Sequence, residues 1–175
     1  PSIWLPESVS RDPFVSAAII LEATERLTVA TGIASIWARD AVTTMNATKT
    51  LNEAYDGRFL VGLGVSHQPT VEGVRGHTYA KPYSQMRRYL EQMDAAPYGG
   101  VEPAQQPTRV IAALGPRMLA LGAELADGVH PYFVPVEHTA IAREAVGPNK
   151  IVATEQMVVL ETDPSAARAI ARAHM

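Results

Sequence analysis

The chain has no cysteine. That excludes disulfides, thiolate metal sites and a thiol nucleophile, and it suits a reducing cytoplasm, the expected compartment. Long basic runs are also missing, and the net charge is −3. Both argue against nucleic acid and acidic membrane surfaces as partners. No apolar run is long enough to span a bilayer, and no signal-peptide pattern is visible. The chain begins at Pro1, directly inside a predicted strand, so it does not display a true N-terminus. There is no Walker motif, no Gly-x-Ser-x-Gly elbow, and no Gly-x-Gly-x-x-Gly fingerprint after the first strand. Histidines and carboxylates show no metal-ligand spacing, so no metal site is expected. What is present is 175 residues, 47% of them hydrophobic. This suits a single globular domain with a sizeable core.

The sequence is organised around Arg58-Phe59-Leu60-Val61-Gly62-Leu63-Gly64-Val65-Ser66-His67-Gln68-Pro69. An apolar run too short for a helix ends in two glycines, a hydroxyl and an imidazole. A buried parallel strand ends this way at a ligand site, because glycine lets backbone and ligand approach closely. An ordinary strand followed by a glycine turn would read the same.

The remaining elements follow a β-α order, six times over. Strands are predicted at residues 2–6, 27–33, 58–64, 109–114, 128–134 and 150–161. Asp12-Pro13 and Asp163-Pro164 mark helix starts, and Asp40 caps another helix. Five helices are expected to carry proline in the first turn: Pro13, Pro82, Pro116, Pro135 and Pro164. Residues 68–81 form a polar loop too long for a plain connection, which favours a lid or binding loop. Alternating β and α elements call for parallel strands covered by helices. Two architectures are available, an open doubly wound sheet and a closed (β/α)8 barrel. Polar and small residues at several strand ends (Glu7, Gly32, His67, Ala113 and His130) suit a barrel mouth. His130 lies inside an apolar strand and reads as barrel-lining. His138 reads as an exposed residue of a helix's first turn.

"RFLVGLGVSH", "TGI" and "IAALGPRML" resemble the luciferase-like monooxygenase superfamily, in its branch that uses the deazaflavin coenzyme F420. The resemblance runs from "IWLPES" to "ETDPSAARAIARAH". It implies a (β/α)8 barrel seen here as six units, roughly strands two to seven, in one domain over residues 1–175 that is incomplete at both ends. Hydride transfer at the ring's C5 between coenzyme F420 and a small organic substrate is then the expected activity. The same resemblance places a non-proline cis peptide at Gly32–Ile33, behind the ring. Gly64, Val65 and Ser66 fall beside the cofactor. Ala112, Ala113, Leu114 and Gly115 resemble a phosphate-holding run at a helix N-terminus, with Leu114 where relatives have glycine. Relatives carry an acidic residue followed by histidine near the ring, and here the pair reads Glu7-Ser8. Serine is a poor proton carrier unaided. His67 stands where relatives have an acidic residue and is the candidate substitute, so Glu7 and His67 are the expected catalytic groups. The alternatives are an FMN-dependent monooxygenase on the same scaffold and a truncated, non-catalytic relative. A homodimer is a further partner the resemblance allows.

Overall fold

The computed structural model describes residues 1–174. Strand β1 (Ser2–Leu5) leads to α1 (Pro13–Glu22), and β2 (Thr28–Thr31) is followed by a two-residue strand, β3 (Ala34–Ser35). Next come α2 (Ala41–Ala54), β4 (Phe59–Gly64) and α3 (Pro82–Asp94). β5 (Arg109–Ala112), α4 (Pro116–Leu125), β6 (Gly128–His130), α5 (Glu137–Val146), β7 (Ile151–Val152) and α6 (Pro164–His174) complete the chain. Every strand pair is parallel, in the order β1-β2-β4-β5-β6-β7, with β3 added beside β4. The sheet is a curled half-barrel; α2, α3, α4 and α5 pack on one another in sequence order, and α1, α2, α4 and α5 pack on the strands. Among the described residues no helix is long and apolar enough to cross a membrane.

β4 is central because its sequence is apolar on both faces. Phe59, Val61 and Leu63 are each 1% exposed. Gly62 follows from the packing: a Cβ there would lie 2.0 Å from the Thr31 carbonyl oxygen of β2. The Thr31 hydroxyl donates to the Gly62 carbonyl at 2.7 Å and accepts from the Gly62 amide at 2.8 Å. On the outer side, α1 buries Phe14, Ala17 and Leu21 at helical spacing. Each large side chain buried this way contributes about 1.5–3 kcal/mol. Asp12 caps α1 by accepting from the amides of Phe14 and Val15, and Asp40 caps α2 through the Thr43 amide. Both caps match the sequence reading.

Several elements differ from it. The predicted 27–33 strand splits around Gly32–Ile33, whose peptide is cis. β5 stops at Ala112, and β6 stops at His130 because Pro131 has no N–H to continue a ladder and Phe133 takes a positive φ. The last strand shrinks from residues 150–161 to Ile151–Val152 for the same reason. Its partner β6 ends, and past it only Tyr132 and Glu155 form a bridge. Pro135 does not start α5; its carbonyl instead takes the His138 amide in a turn ahead of Glu137. In α2 Leu51 is buried and Met45 and Tyr55 pack against the core, Ala54 is exposed, and the rest of the buried face is Ala41, Thr44, Thr48 and Asn52. The polar members are satisfied internally: Thr48 donates to the Thr44 carbonyl and Asn52 to the Thr48 carbonyl. The Thr44 and Tyr89 hydroxyls meet at 2.5 Å, and burial pushes Tyr89 up to about 12.

Candidate functional site

Parallel strands send all their C-terminal ends to one side of the sheet, and there the chain leaves two adjoining cavities. The larger, about 720 Å³, is walled by Trp4, Glu7, Gly32, Ile33, Ser66, His67, His130, Tyr132 and the 153–155 segment. The smaller, about 320 Å³, shares Gly32, Ile33, Ser66, His67, His130 and Tyr132. It adds Gly64, Val65, Ala112, Leu114, Gly115 and Met118. Ten of the eleven residues singled out from the sequence thus line one mouth. Ala113 does not: it is 2% exposed and packs into the core.

The floor is made by close approach. A Cβ on Gly64 would fall 2.4 Å from Ile33 Cδ1, so only glycine lets the Ile33 side chain lie across β4. A Cβ on Gly32 would meet Trp4 at 3.2 Å and His130 Nε2 at 3.3 Å. Ser66 turns the chain out of β4 in the left-handed region, φ 55°. At the far wall Gly115 precedes α4, whose N-terminus has no side-chain cap. Nothing lies within 4 Å of where a Gly115 Cβ would be. Uncapped amides at a helix start attract anions. Arg117, which could have added charge there, lies instead over the Tyr83 ring at 4.4 Å.

The three histidines of the region have different surroundings. His67 is exposed and lines both cavities. His130 is 5% exposed and stacks on Trp4 with ring centroids 4.8 Å apart. Its Nδ1 meets the Ala153 carbonyl oxygen at 2.6 Å. Because a carbonyl only accepts, Nδ1 carries the hydrogen and Nε2 is the bare nitrogen beside Gly32. Burial lowers its pKa from the usual imidazole value. A histidine within an apolar run is the sequence signal for this residue, but nothing in the run shows that it faces the floor. His138 is not a freely exposed side chain: its Nε2 meets the Leu114 carbonyl at 2.8 Å and ties α5 to the end of β5.

Glu7 is not a free carboxylate at the mouth. Its side chain is 6% exposed. It accepts the Ser35 amide at 2.7 Å and Arg39 Nη1 at 2.9 and 3.0 Å. Arg39 also pairs with Asp12 and lies over the Phe14 ring. Burial raises the Asp12 carboxyl, but the Val15 amide, Arg39 and the Phe14 amide outweigh it and hold it below the usual range. The 68–81 segment, expected as a loop, contains a π-helical stretch, Pro69–Val74, anchored by fully buried Val71. Trp37 fastens the neighbouring turn by donating to the Val65 carbonyl at 2.8 Å and packing near Tyr79.

Comparison with known proteins agrees with this fold. 5,10-Methylenetetrahydromethanopterin reductase of Methanolobus tindarius is 25% identical over 170 residues, covering 83% of this chain and 52% of that protein. An F420-dependent secondary alcohol dehydrogenase, solved with an F420-acetone adduct, superposes with a TM-score of 0.73. It is 14% identical, over 87% of this chain and 59% of that one. The oxygenating constituent of 3,6-diketocamphane monooxygenase from Pseudomonas putida, solved with FMN, gives a TM-score of 0.72. It is 14% identical, over 98% of this chain and 61% of that one. The chain spans about half the length of the curated relatives it matches. A family model described as luciferase-like monooxygenase matches residues 1–175, and the chain belongs to that family.

Proposed function

We propose that this chain forms the cofactor-holding part of an F420-dependent oxidoreductase that moves a hydride between coenzyme F420 and a small organic substrate. The observation that carries the reading is the smaller cavity. Its floor, Ile33 laid across Gly64, is apolar, and its far wall is the uncapped start of α4. An aromatic ring with an anionic tail fits that combination. When bound, the deazaflavin supplies a carbon that accepts or donates hydride.

The chain's own residues do the rest. Ile33, Val65 and Met118 keep water from the floor, while the Arg117 amide at the start of α4 holds an anionic group. Pro116 has no N–H to offer, and the amides of Met118 and Leu119 bond the Gly115 carbonyl. His67 takes or returns a substrate proton at its ring nitrogen. Glu7 is a positioning residue in this reading: its ion pair with Arg39 fixes the wall between β1 and β3. An FMN-dependent monooxygenase is the second reading, favoured by the fold shared with the FMN-bound camphane enzyme. The test is a calorimetric titration of the protein with coenzyme F420 and with FMN, repeated on Gly115→Asp. A carboxylate at Gly115 meets open space, so folding is preserved while anion binding is repelled. F420 binding that Gly115→Asp abolishes supports the proposal. Preference for FMN moves it to the second reading, and an affinity for F420 unchanged by Gly115→Asp removes this wall from the site.

A further inference from the structure

Behind Glu7 lies a third cavity of about 490 Å³, walled by Ser8, Ser10, Arg11, Trp37, Arg75 and His77 among others. Glu7 also lines the large reaction cavity, so one carboxylate forms a wall common to both. Three arginines, Arg11, Arg39 and Arg75, stand here against two carboxylates, Glu7 and Asp12. Arg39 is fully engaged with both carboxylates.

Arg75 is not. Its only charged contact among the described residues is Glu7 Oε1 at 3.5 Å, and that carboxylate is already taken by Arg39 and the Ser35 amide. Its Nε is buried without a partner. An arginine carries five N–H donors in a rigid fork, and leaving a buried donor unmet is costly. Its side chain is 24% exposed, and Arg11 is exposed and makes no ion pair among the described residues. Ser8 and Ser10 hydroxyls, 3.1 Å apart, stand at the same rim.

We infer that this cavity is an oxyanion subsite, in which Arg75, assisted by Arg11 and the Ser8 and Ser10 hydroxyls, holds a carboxylate or phosphate group of the substrate. The inference rests on the proposed oxidoreductase function for the word substrate, but the anion site itself stands without it. A guanidinium matches either oxyanion through paired hydrogen bonds. The uncharged, reacting end of the ligand then passes Glu7 into the large cavity.

The test follows the arginine Nε–H and Trp37 indole N–H signals of the isotope-labelled chain by NMR. Inorganic phosphate and succinate are titrated in separately, at constant ionic strength and without cofactor. The expected result is a saturable shift of the Arg75 and Trp37 signals. Tighter binding of phosphate assigns a phosphate ester, and tighter binding of succinate a carboxylate. Arg75→Gln should weaken the preferred anion about 10- to 100-fold, the range for hydrogen bonds to charged groups. Arg75→Lys, which keeps charge and loses the fork, should fall between, and Arg88→Gln on the outer face of α3 should change nothing. Shifts that do not saturate, or an equal loss in Arg88→Gln, overturn the subsite. Displacement of the anion by added coenzyme F420 overturns its assignment to substrate. Failure of F420 to bind at all, with the anion shifts intact, refutes the oxidoreductase reading and leaves the anion site standing.

Discussion

Gly64→Ala is the most direct probe of how the site is built. The added methyl would stand 2.4 Å from Ile33 Cδ1, 2.6 Å from Ile33 Cγ1 and 3.3 Å from the Ala112 Cβ. Carbon atoms pack at about 3.5–4.0 Å, so Ile33 has to retreat by about 1 Å. The obstacle is the end of a side chain and not backbone, so the protein folds, at the cost of overpacking, about 1–3 kcal/mol. For a chain of this size that lowers the melting temperature by about 2–12 °C. Ile33 retreats into the cavities it lines, so affinity for coenzyme F420 falls as well. Ile33→Ala alone costs less than the ~2–5 kcal/mol of a fully buried isoleucine, because its side chain is only partly buried. The double variant Gly64→Ala/Ile33→Ala removes the clash, so the two changes couple favourably by about 0.5–3 kcal/mol. Urea unfolding of the four proteins measures that coupling, and calorimetry measures the affinity. A coupling near zero, or Gly64→Ala as stable as the parent, refutes the account of the floor as a side chain laid across a glycine.

Other outcomes follow from the same geometry. His67→Ala and His67→Gln should both lower turnover by about 100- to 10,000-fold, while melting temperatures hold, because the imidazole is exposed; an active Gln variant rules out proton transfer at this residue. Glu7→Gln leaves Arg75 without its carboxylate while Arg39 keeps Asp12, a loss of about 1.5–3 kcal/mol, the range for hydrogen bonds to charged groups, readable by chemical denaturation. A change under 1 kcal/mol would show that the ion pair is dispensable. Folding depresses the His130 pKa, so the unfolded chain binds that proton first. Its contribution to stability is complete above the usual imidazole value of about 6.5 and is lost as the pH falls through the depressed folded value, by at most about 1.4 kcal/mol per pH unit. Unfolding curves from pH 8 to 5 should show this decline in the parent and a smaller one in His130→Asn. Identical profiles would contradict the buried, neutral imidazole.

The sequence by itself determined the β-α order and the helix starts that carry a capping aspartate, whereas β5, β6 and β7 end earlier than the sequence reads and Pro135 does not start α5. Asp12-Pro13, Asp40 and Asp163-Pro164 carry their capping chemistry within a few residues, so neighbours along the chain suffice to read them. The glycines of β4, the cis peptide at Gly32–Ile33 and the mouth residues around Gly64 and Gly115 were legible too. Motif and strand polarity already direct them to one end of a parallel sheet. Tertiary structure alone decided what those residues touch. The polar face of α2, with Thr44, Thr48 and Asn52, is buried because Tyr89 and backbone carbonyls satisfy it, and no local pattern encodes a partner 45 residues away. Glu7 reads as a free acid in sequence and is an ion-paired wall in space, since Arg39 and Arg75 reach it only through folding. His130 lines the cavities as its place in the strand suggests, but Ala113, expected at the mouth, packs into the core. Which side of a strand meets the cavity and which meets the core depends on the sheet's curl, a property of all the strands together.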